Sequence, residues 1–504
     1  MLFTPSTTCG MWDTWCFFHK GIHHLFYLHR TRPDITSDGI SLAISNDGVH
    51  WKEIGEILHK AEDAENMGSG SVWEVDGRFV MNFSETRGGV QDIFFAVSDN
   101  LFHWARLGNE YRFSPDPRWY KTNPAGRWDG IWAIKNEDGS YTGFFTAVPE
   151  TGDMGIQESI GMAHSKDGIK WEALPPPVFK WGKWGNLRTW EVGAVEKIGN
   201  KYWMMMGANE SVLGCRFSTG LKRKEEIGMF VYSAKNLNRP FYAEPKSWRF
   251  LTCPCDRFLM TYFARFYRVQ NELLINHHSI EPPVEGKPLV FARSWMAPLK
   301  AVKLTKNQCL LPVYWKGNET LKGSTIDSMF KDIFLWPEFA LKCDIKKGHN
   351  FLELVQPNAG AIAMSGKYFN LEKGIIIEGE LKIQKIKKPF SSAGIVIETE
   401  KTSKGTVALI NSNGLVEIGD ILAAIREEPS ITRIIRYDAK KYNIKKDGIY
   451  KFRIFIRHCF IELYIDNILI QCYTMSQIPT GRIGWVVESG KAHFLRVKAW
   501  EITL

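Results

Sequence analysis

A seven-residue segment that begins with Ser and ends with Trp occurs three times in this chain and constrains its fold more than any other feature. The copies occupy residues 45–51, 98–104 and 165–171. In each copy an alternating apolar run enters a turn rich in Ser, Asn, Asp and Gly, and the Trp begins the return strand, as in a β-hairpin. The copies are spaced more widely than single hairpins, which suits four-stranded propeller blades with a variable loop. The repeat therefore predicts an all-β protein with a radial arrangement of sheets.

The repeat ends before the chain does, which indicates two domains. We predict a five-bladed β-propeller over residues 1–320, because five blades are the simplest count for that length. Residues 321–345 are predicted to be a linker with a short helix at 326–334. Short alternating strands and a hairpin turn at Asp466-Asn467 predict a β-sandwich over residues 346–504. We expect this domain to brace the propeller, since it contains few readable aromatic residues.

The composition favours a carbohydrate ligand over a nucleic acid. Hydrophobic residues make up 44% of the 504 residues, and 19 are Trp, whose flat rings match the apolar faces of sugars. The net charge of +9 is mild, and no basic stripe with interleaved aromatic residues is present. We therefore expect an oligosaccharide partner and no nucleic-acid partner.

The cysteines and the amino-terminal sequence indicate a reduced compartment. Nine cysteines at irregular spacing do not form a disulfide framework. The close pair Cys253 and Cys255 lacks the second ligand pair of a zinc site, so we predict neither a metal nor another cofactor. No signal-peptide pattern and no apolar run long enough to span a bilayer are present. These features predict a cytoplasmic protein without a membrane partner, unless a leader was removed, and they do not indicate an oligomeric state.

Three acidic residues occupy the same position in different predicted blades. Asp13, Asp129 and Glu191 each lie beside a Trp, at the start of what should be the innermost strand of a blade. Since those strand starts converge on one mouth of a propeller funnel, three carboxylates should face one cavity. Glycosidic bond cleavage needs a protonated carboxyl group and an ionised one, and a third can stabilise the positive charge of the transition state. The three acids are therefore our candidate catalytic residues.

Neighbouring residues supply candidate contacts to the substrate. Arg127 and Arg188 could hold the carboxylates or sugar hydroxyls in place, and Trp12, Trp128 and Trp190 are the candidate stacking surfaces for a sugar ring.

The motifs around these residues resemble those of glycoside hydrolase family 32, which contains invertases, levanases and inulinases. The matching segments are Trp12-Asp13 with residues 24–27, Ser69-Gly70-Ser71, Arg127-Trp128-Asp129, Trp190-Glu191-Val192, residues 295–299, and residues 452–455 with 461–466. The resemblance implies a five-bladed propeller followed by a β-sandwich. It also implies that Asp13 is the nucleophile, Asp129 the transition-state stabiliser, Glu191 the general acid/base and Ser69 a substrate-binding residue.

Departures from the family motifs leave the substrate and the stereochemistry open. No Pro follows Asp129, and Val192 replaces the family's Cys. A β-fructofuranoside is the first expectation, with a galactofuranoside or an arabinofuranoside as alternatives. If the sequence pattern is closer to that of glycoside hydrolase family 43, Asp13 acts as a base and the anomeric configuration inverts. Two other classes stay open, namely a non-catalytic carbohydrate-binding propeller and a phosphorylase, which would need a cationic phosphate site.

Overall fold

The computed structural model describes most of the chain and shows a protein built almost entirely of strands. It covers residues 2–504 except 123–126, 151–159, 181–186, 211–225, 245–248, 255–260, 283–291, 337–341, 387–390, 401–403, 424–431, 442–443, 446 and 476. Only the backbone is described for residues 187–190, 208–210, 226–227, 249, 252–254, 261–262, 400, 420, 422–423 and 432–441. The chain divides into two compact units, of which the first reaches Gly317 and the second begins at Asn318.

The first unit contains four sheets arranged like propeller blades, within the described residues. The first two sheets comprise β1 Gly10–His19, β2 Ile22–Arg30, β3 Gly39–Ser45 and β4 Lys52–His59, then β5 Asn66–Gly68, β6 Val72–Val75, β7 Arg78–Arg87, β8 Val90–Ser98 and β9 Ala105–Arg106. The next two comprise β10 Trp128–Lys135, β11 Tyr141–Ala147, β12 Gly161–Ser165 and β13 Glu172–Leu174, then β14 Phe179–Lys180, β15 Leu187–Ile198, β16 Lys201–Glu210, β17 Glu226–Ala234, β18 Phe241–Ala243 and β19 Arg249–Pro254. A further antiparallel run comprises β20 Thr261–Val269, β21 Glu272–Ile280, β22 Ser294–Met296, β23 Lys300–Leu304 and β24 Leu310–Tyr314.

Strands of successive sheets lie next to one another. Strand β10 contacts β7 and β15, and β20 contacts both β15 and β1. Apolar clusters fill the spaces between neighbouring sheets, for example Phe26, Met81 and Phe83 between the first and second. Because each sheet is covered on both faces by its neighbours, its inner strand is mostly apolar, and charged residues there stand out.

The three Ser-to-Trp segments form hairpin turns, as the sequence predicts, and the turns share the same hydrogen bonds. In the first copy the Ser45 hydroxyl accepts the N–H of Gly48 at 2.9 Å, and Asp47 Oδ1 accepts the N–H groups of Val49 and His50 at 2.9 Å. Ser98 with Asn100, and Ser165 with Asp167, repeat this arrangement. Each Trp lies one residue before the return strand instead of beginning it.

The second unit is a β-sandwich-like assembly of antiparallel strands. Its strands are β25 Lys322–Ile326, β26 Ile333–Leu335, β27 Asp344–Lys347, β28 Leu352–Ser365, β29 Ile375–Lys385, β30 Ser392–Glu400, β31 Lys404–Asn411, β32 Leu415–Ala423, β33 Thr432–Lys441, β34 Ile449–Arg457, β35 Phe460–Ile465, β36 Ile468–Thr474 and β37 Ile483–Ile502. The long strand β37 pairs with β25, β28, β29 and β30. The predicted turn at Asp466-Asn467 joins β35 to β36 with φ angles of 51° and 65°, as in a tight hairpin.

Helix is scarce in the described part of the chain. Two 3-10 helices occur there, Asn109–Tyr111 and Lys316–Leu321. The helix predicted over residues 326–334 is wrong, because the end of β25, a turn and the start of β26 occupy that segment. No helix of the described residues is long and apolar enough to cross a bilayer.

Candidate active site

Four strands that bring residues to the candidate site lose their regular pairing there. Irregularities of register fall between Trp12 and Thr14 in β1, Asp129 and Trp132 in β10, Thr189 and Glu191 in β15, and Tyr262 and Arg265 in β20. Asp13 itself has a φ of 36°, and Gly130 has a φ of 57°. A β-bulge turns a side chain away from the direction that strict alternation gives it. The bulges therefore determine where the acids and Arg265 point.

Asp129 and Glu191 are joined through one arginine. Arg127 Nη2 lies 3.2 Å from Asp129 Oδ2 and also donates to Glu191 Oε1. Ser84 donates to Asp129 Oδ1 at 2.6 Å and accepts from Gln91 at 2.8 Å. Because one guanidinium nitrogen contacts both carboxylates, two of the three predicted acids lie within reach of one sugar ring.

Asp13 belongs to the same electrostatic cluster. It is 5% exposed, and its Oδ1 has no hydrogen-bond partner among the described residues.

Burial raises the pKa of Asp13 well above its ordinary value, and the charge of Glu191 raises it further, while Arg265 opposes the rise. Burial also raises the pKa of Asp129, against the lowering effect of Arg127. Two arginines thus partly neutralise three closely grouped carboxylates.

Arg265 is a site residue that the sequence analysis missed. It is 1% exposed, its Nη2 donates to Ser69 Oγ at 3.1 Å, and its guanidinium lies 4.6 Å from the ring centre of Phe263. A buried arginine needs negative partners nearby, and Asp13 and Asp129 supply them. An arginine in the mostly apolar strand β20 is a sequence signal, but Arg268 shares it, and only the partners from other strands distinguish Arg265.

The predicted Ser-Gly-Ser motif packs behind the acids. Ser69 accepts from Arg265, while Ser71 donates to the carbonyl of Ile131 at 2.5 Å. A Cβ at Gly70 would lie 1.5 Å from the carbonyl oxygen of Asn82, so only glycine allows this approach. In the structure Ser69 orients Arg265, and its predicted contact with substrate stays a prediction.

The predicted aromatic platforms differ in their positions. Trp12 is half-buried and its ring centre lies 5.4 Å from that of His278. Trp128 is fully buried against Phe113, Tyr120 and Phe145. It therefore has no ring face for a sugar, and that prediction is wrong.

Two further predicted residues cannot be placed in the site. The side chains of Arg188 and Trp190 lie outside the described residues, although the backbone of both belongs to β15.

Comparison with solved structures reveals the same architecture in fructoside-cleaving enzymes. Fructan 1-exohydrolase IIa from Cichorium intybus matches with a TM-score of 0.68 at 11% identity, over 100% of this chain and 97% of that chain. The chain has the fold of glycoside hydrolase family 32. Exo-inulinase from Aspergillus awamori matches with a TM-score of 0.65 at 13% identity, over 99% and 97% of the two chains. A family 32 β-fructofuranosidase from Bombyx mori matches with a TM-score of 0.63 at 14% identity, over 98% and 92%.

The likeness lies in the structure and hardly in the sequence. No protein-family model matches the chain, and no characterised protein matches it in sequence. At these identities the resemblance noted in the motifs is confirmed at the level of the fold.

Proposed function

We propose that this protein is a glycoside hydrolase that acts on fructosides, with a β-fructofuranoside in an oligosaccharide as its first candidate substrate. The observation that carries the proposal is the grouping of Asp13, Asp129 and Glu191 around shared arginines at the starts of three inner strands. The fold supports it, because solved neighbours include a β-fructofuranosidase mutant in complex with sucrose and a fructofuranosidase complexed with fructosylnystose.

We infer that the three acids divide the work as the family resemblance implies. Glu191 donates the proton to the leaving oxygen, and Arg127 fixes its carboxyl group beside Asp129. Asp129 stabilises the positive charge that develops on the sugar ring. Asp13 attacks the anomeric carbon or activates water, since its Oδ1 has no protein partner among the described residues.

Asp13 works only in its ionised form. Burial and the neighbouring carboxylates favour its protonated form, whereas the charges of Arg265 and Arg127 favour the ionised one. The charges of Arg265 and Arg127 thus lessen the rise in the pKa of this buried carboxyl group and favour the form that can act as a nucleophile or base.

We also propose that the propeller has five blades, with β20 to β24 as the fifth. The contacts of β20 with both β15 and β1 support this count, because they close the ring of inner strands.

The proposed activity is tested by measuring sugar release from sucrose, inulin-type oligosaccharides and aryl furanosides. We expect the wild type to release fructose and the Glu191→Gln variant to lose about 10³-fold in kcat, the size of a lost proton donor. Thermal unfolding of both proteins checks that the variant is folded. A wild type that binds these sugars without cleaving them would instead be a carbohydrate-binding propeller. Turnover that depends on phosphate would indicate a phosphorylase.

A further inference from the structure

A cavity lies among the inner strands, toward the ends that point away from the acids. It has a volume of about 320 Å³ and is lined by residues of β1, β6, β10, β15 and β20. On β1 the acid is Asp13 and the cavity residues are Cys16, Phe17 and Phe18. On β15 the acid is Glu191 and the cavity residue is Glu196. At a rise of about 3.3 Å per residue, the two sites lie roughly 10–17 Å apart along these strands.

Aromatic surface and charge are combined in this cavity. Phe17, Phe18 and Trp132 are each half-buried and line it. The indole N–H of Trp132 is bonded to the carbonyl of Val195 at 2.7 Å, so that side chain offers the cavity a ring surface. Apolar faces of sugar rings pack on such surfaces.

The charged residues of the lining balance one another. Glu74 and Glu196 line it together with Lys135 and Arg268, and Arg268 donates to Glu196 at 2.8 Å. An anion would meet the two carboxylates and a cation would meet the two basic groups. A neutral molecule with many hydroxyl groups can use the donors and the acceptors together.

The size of the cavity limits the ligand. A volume of about 320 Å³ lies at the lower end of the range for small-molecule sites and holds one or two sugar rings. A larger cavity of about 610 Å³ shares Ala133, Lys135 and Glu196 with it, which leaves room for a longer chain between β10 and β15.

We propose that this cavity binds a neutral mono- or oligosaccharide at the opposite end of the inner strands from the candidate catalytic acids. Binding here needs no hydrolysis, so the proposal is independent of the proposed enzymatic activity.

The test uses the full chain with 5-fluorotryptophan incorporated and its ¹⁹F resonances observed while fructose, sucrose or nystose is added. The Glu191→Gln variant serves as background so that the sugars stay intact. The Trp132 resonance, assigned with Trp132→Phe, reports on the cavity, and the Trp12 resonance reports on the acids. We expect the Trp132 resonance to shift saturably with at least one of these sugars. The Kd read from this resonance should be lower for nystose than for fructose.

Variants at exposed positions identify the site. Arg268→Met should raise the Kd read at Trp132 at least tenfold and leave the Kd read at Trp12 unchanged. Arg78→Met is the matched control, because Arg78 and Arg268 are 55% and 53% exposed and each pairs with one carboxylate. It should change neither Kd.

Three results would overturn the proposal. They are a Trp132 resonance that no sugar moves, an Arg268→Met variant with unaltered affinity, and a Trp132 resonance that inorganic phosphate shifts while the sugars do not. A protein that fails to cleave fructosides but shows the Trp132 response would contradict the proposed function alone.

Discussion

The outer turns and the inner strands of the first unit follow opposite rules. The three Ser-to-Trp turns repeat the same hydrogen bonds in three sheets. The inner strands β1, β10, β15 and β20 each break their pairing near the candidate site. Repetition at the outer turns serves stability, whereas the irregular inner strands place the charged groups. Substitutions in the two regions should therefore affect different properties.

The largest effect is expected where Asp13 is changed to Asn. The variant keeps the size of the side chain and tolerates the positive φ of this position, but it removes the carboxylate. We expect kcat on a fructoside to fall by about 10³-fold. Steady-state kinetics with a confirmed substrate measure this loss, and a variant with near wild-type kcat would remove Asp13 from the mechanism.

The same variant should be more stable than the wild type, with a defined pH dependence. Since the folded-state pKa of Asp13 is raised, its ionised form destabilises the folded protein at pH values above the unfolded pKa of about 4. The Tm advantage of Asp13→Asn should therefore be absent below that pH, grow as the pH rises through the raised pKa, and then stay constant. Thermal unfolding of both proteins, followed from below this pH to well above it, measures the sign of the Tm difference.

Replacing Arg265 should alter the pH profile and reduce the rate by roughly 10- to 100-fold. Its positive charge opposes the raised pKa of both Asp13 and Asp129. In Arg265→Met the low-pH limb of kcat/KM should therefore move to higher pH, because Asp13 then loses its proton at a higher pH. Arg265→Lys keeps the charge and should partly restore the limb. A rate loss without any movement of the limb would indicate a purely structural residue.

The outer turns should respond in stability alone. Gly168 has a φ of 76°, and an added Cβ would lie 2.9 Å from Tyr141 and Val75. We expect Gly168→Ala to lower the free energy of unfolding by about 2 kcal/mol while kcat stays unchanged. Gly139→Ala separates strain from crowding, because Gly139 has a φ of 87° and no atom within 4 Å of an added Cβ. It should cost only about 1 kcal/mol.

The smallest effect is expected from the turn acid Asp167. Its Oδ1 accepts the N–H groups of Ile169 and Lys170, each at 2.8 Å. Asp167→Ala should cost about 1 kcal/mol of unfolding free energy in chemical denaturation, and Lys166→Ala in the same exposed turn should cost almost nothing. A loss of activity in the folded Asp167→Ala protein would contradict the division between outer turns and inner strands.

The same division explains what could be predicted from the sequence. The turns repeat their residue types, so their hairpins were predictable, and the acids stood out as charges at strand starts. Adjacent residues of a strand point to opposite faces. Because the side chain of Asp129 points toward the candidate site, that of Trp128 points away from it, and the assignment of Trp128 as a stacking surface was wrong. Arg265 was missed because its role depends on partners from other strands, Ser69 among them, which no local pattern contains.

Strand β37 has a consequence for how the second unit folds. It follows all of its partners in sequence, and β25, β28, β29 and β30 pair with it. Those four strands have edges without a partner strand until β37 pairs with them. Assembly of this unit therefore depends on pairing between strands that are far apart in sequence, and it should be slow. During that interval the open edges can recruit strands from other molecules. Chaperone demand and losses to aggregation during refolding should therefore originate mainly in this unit.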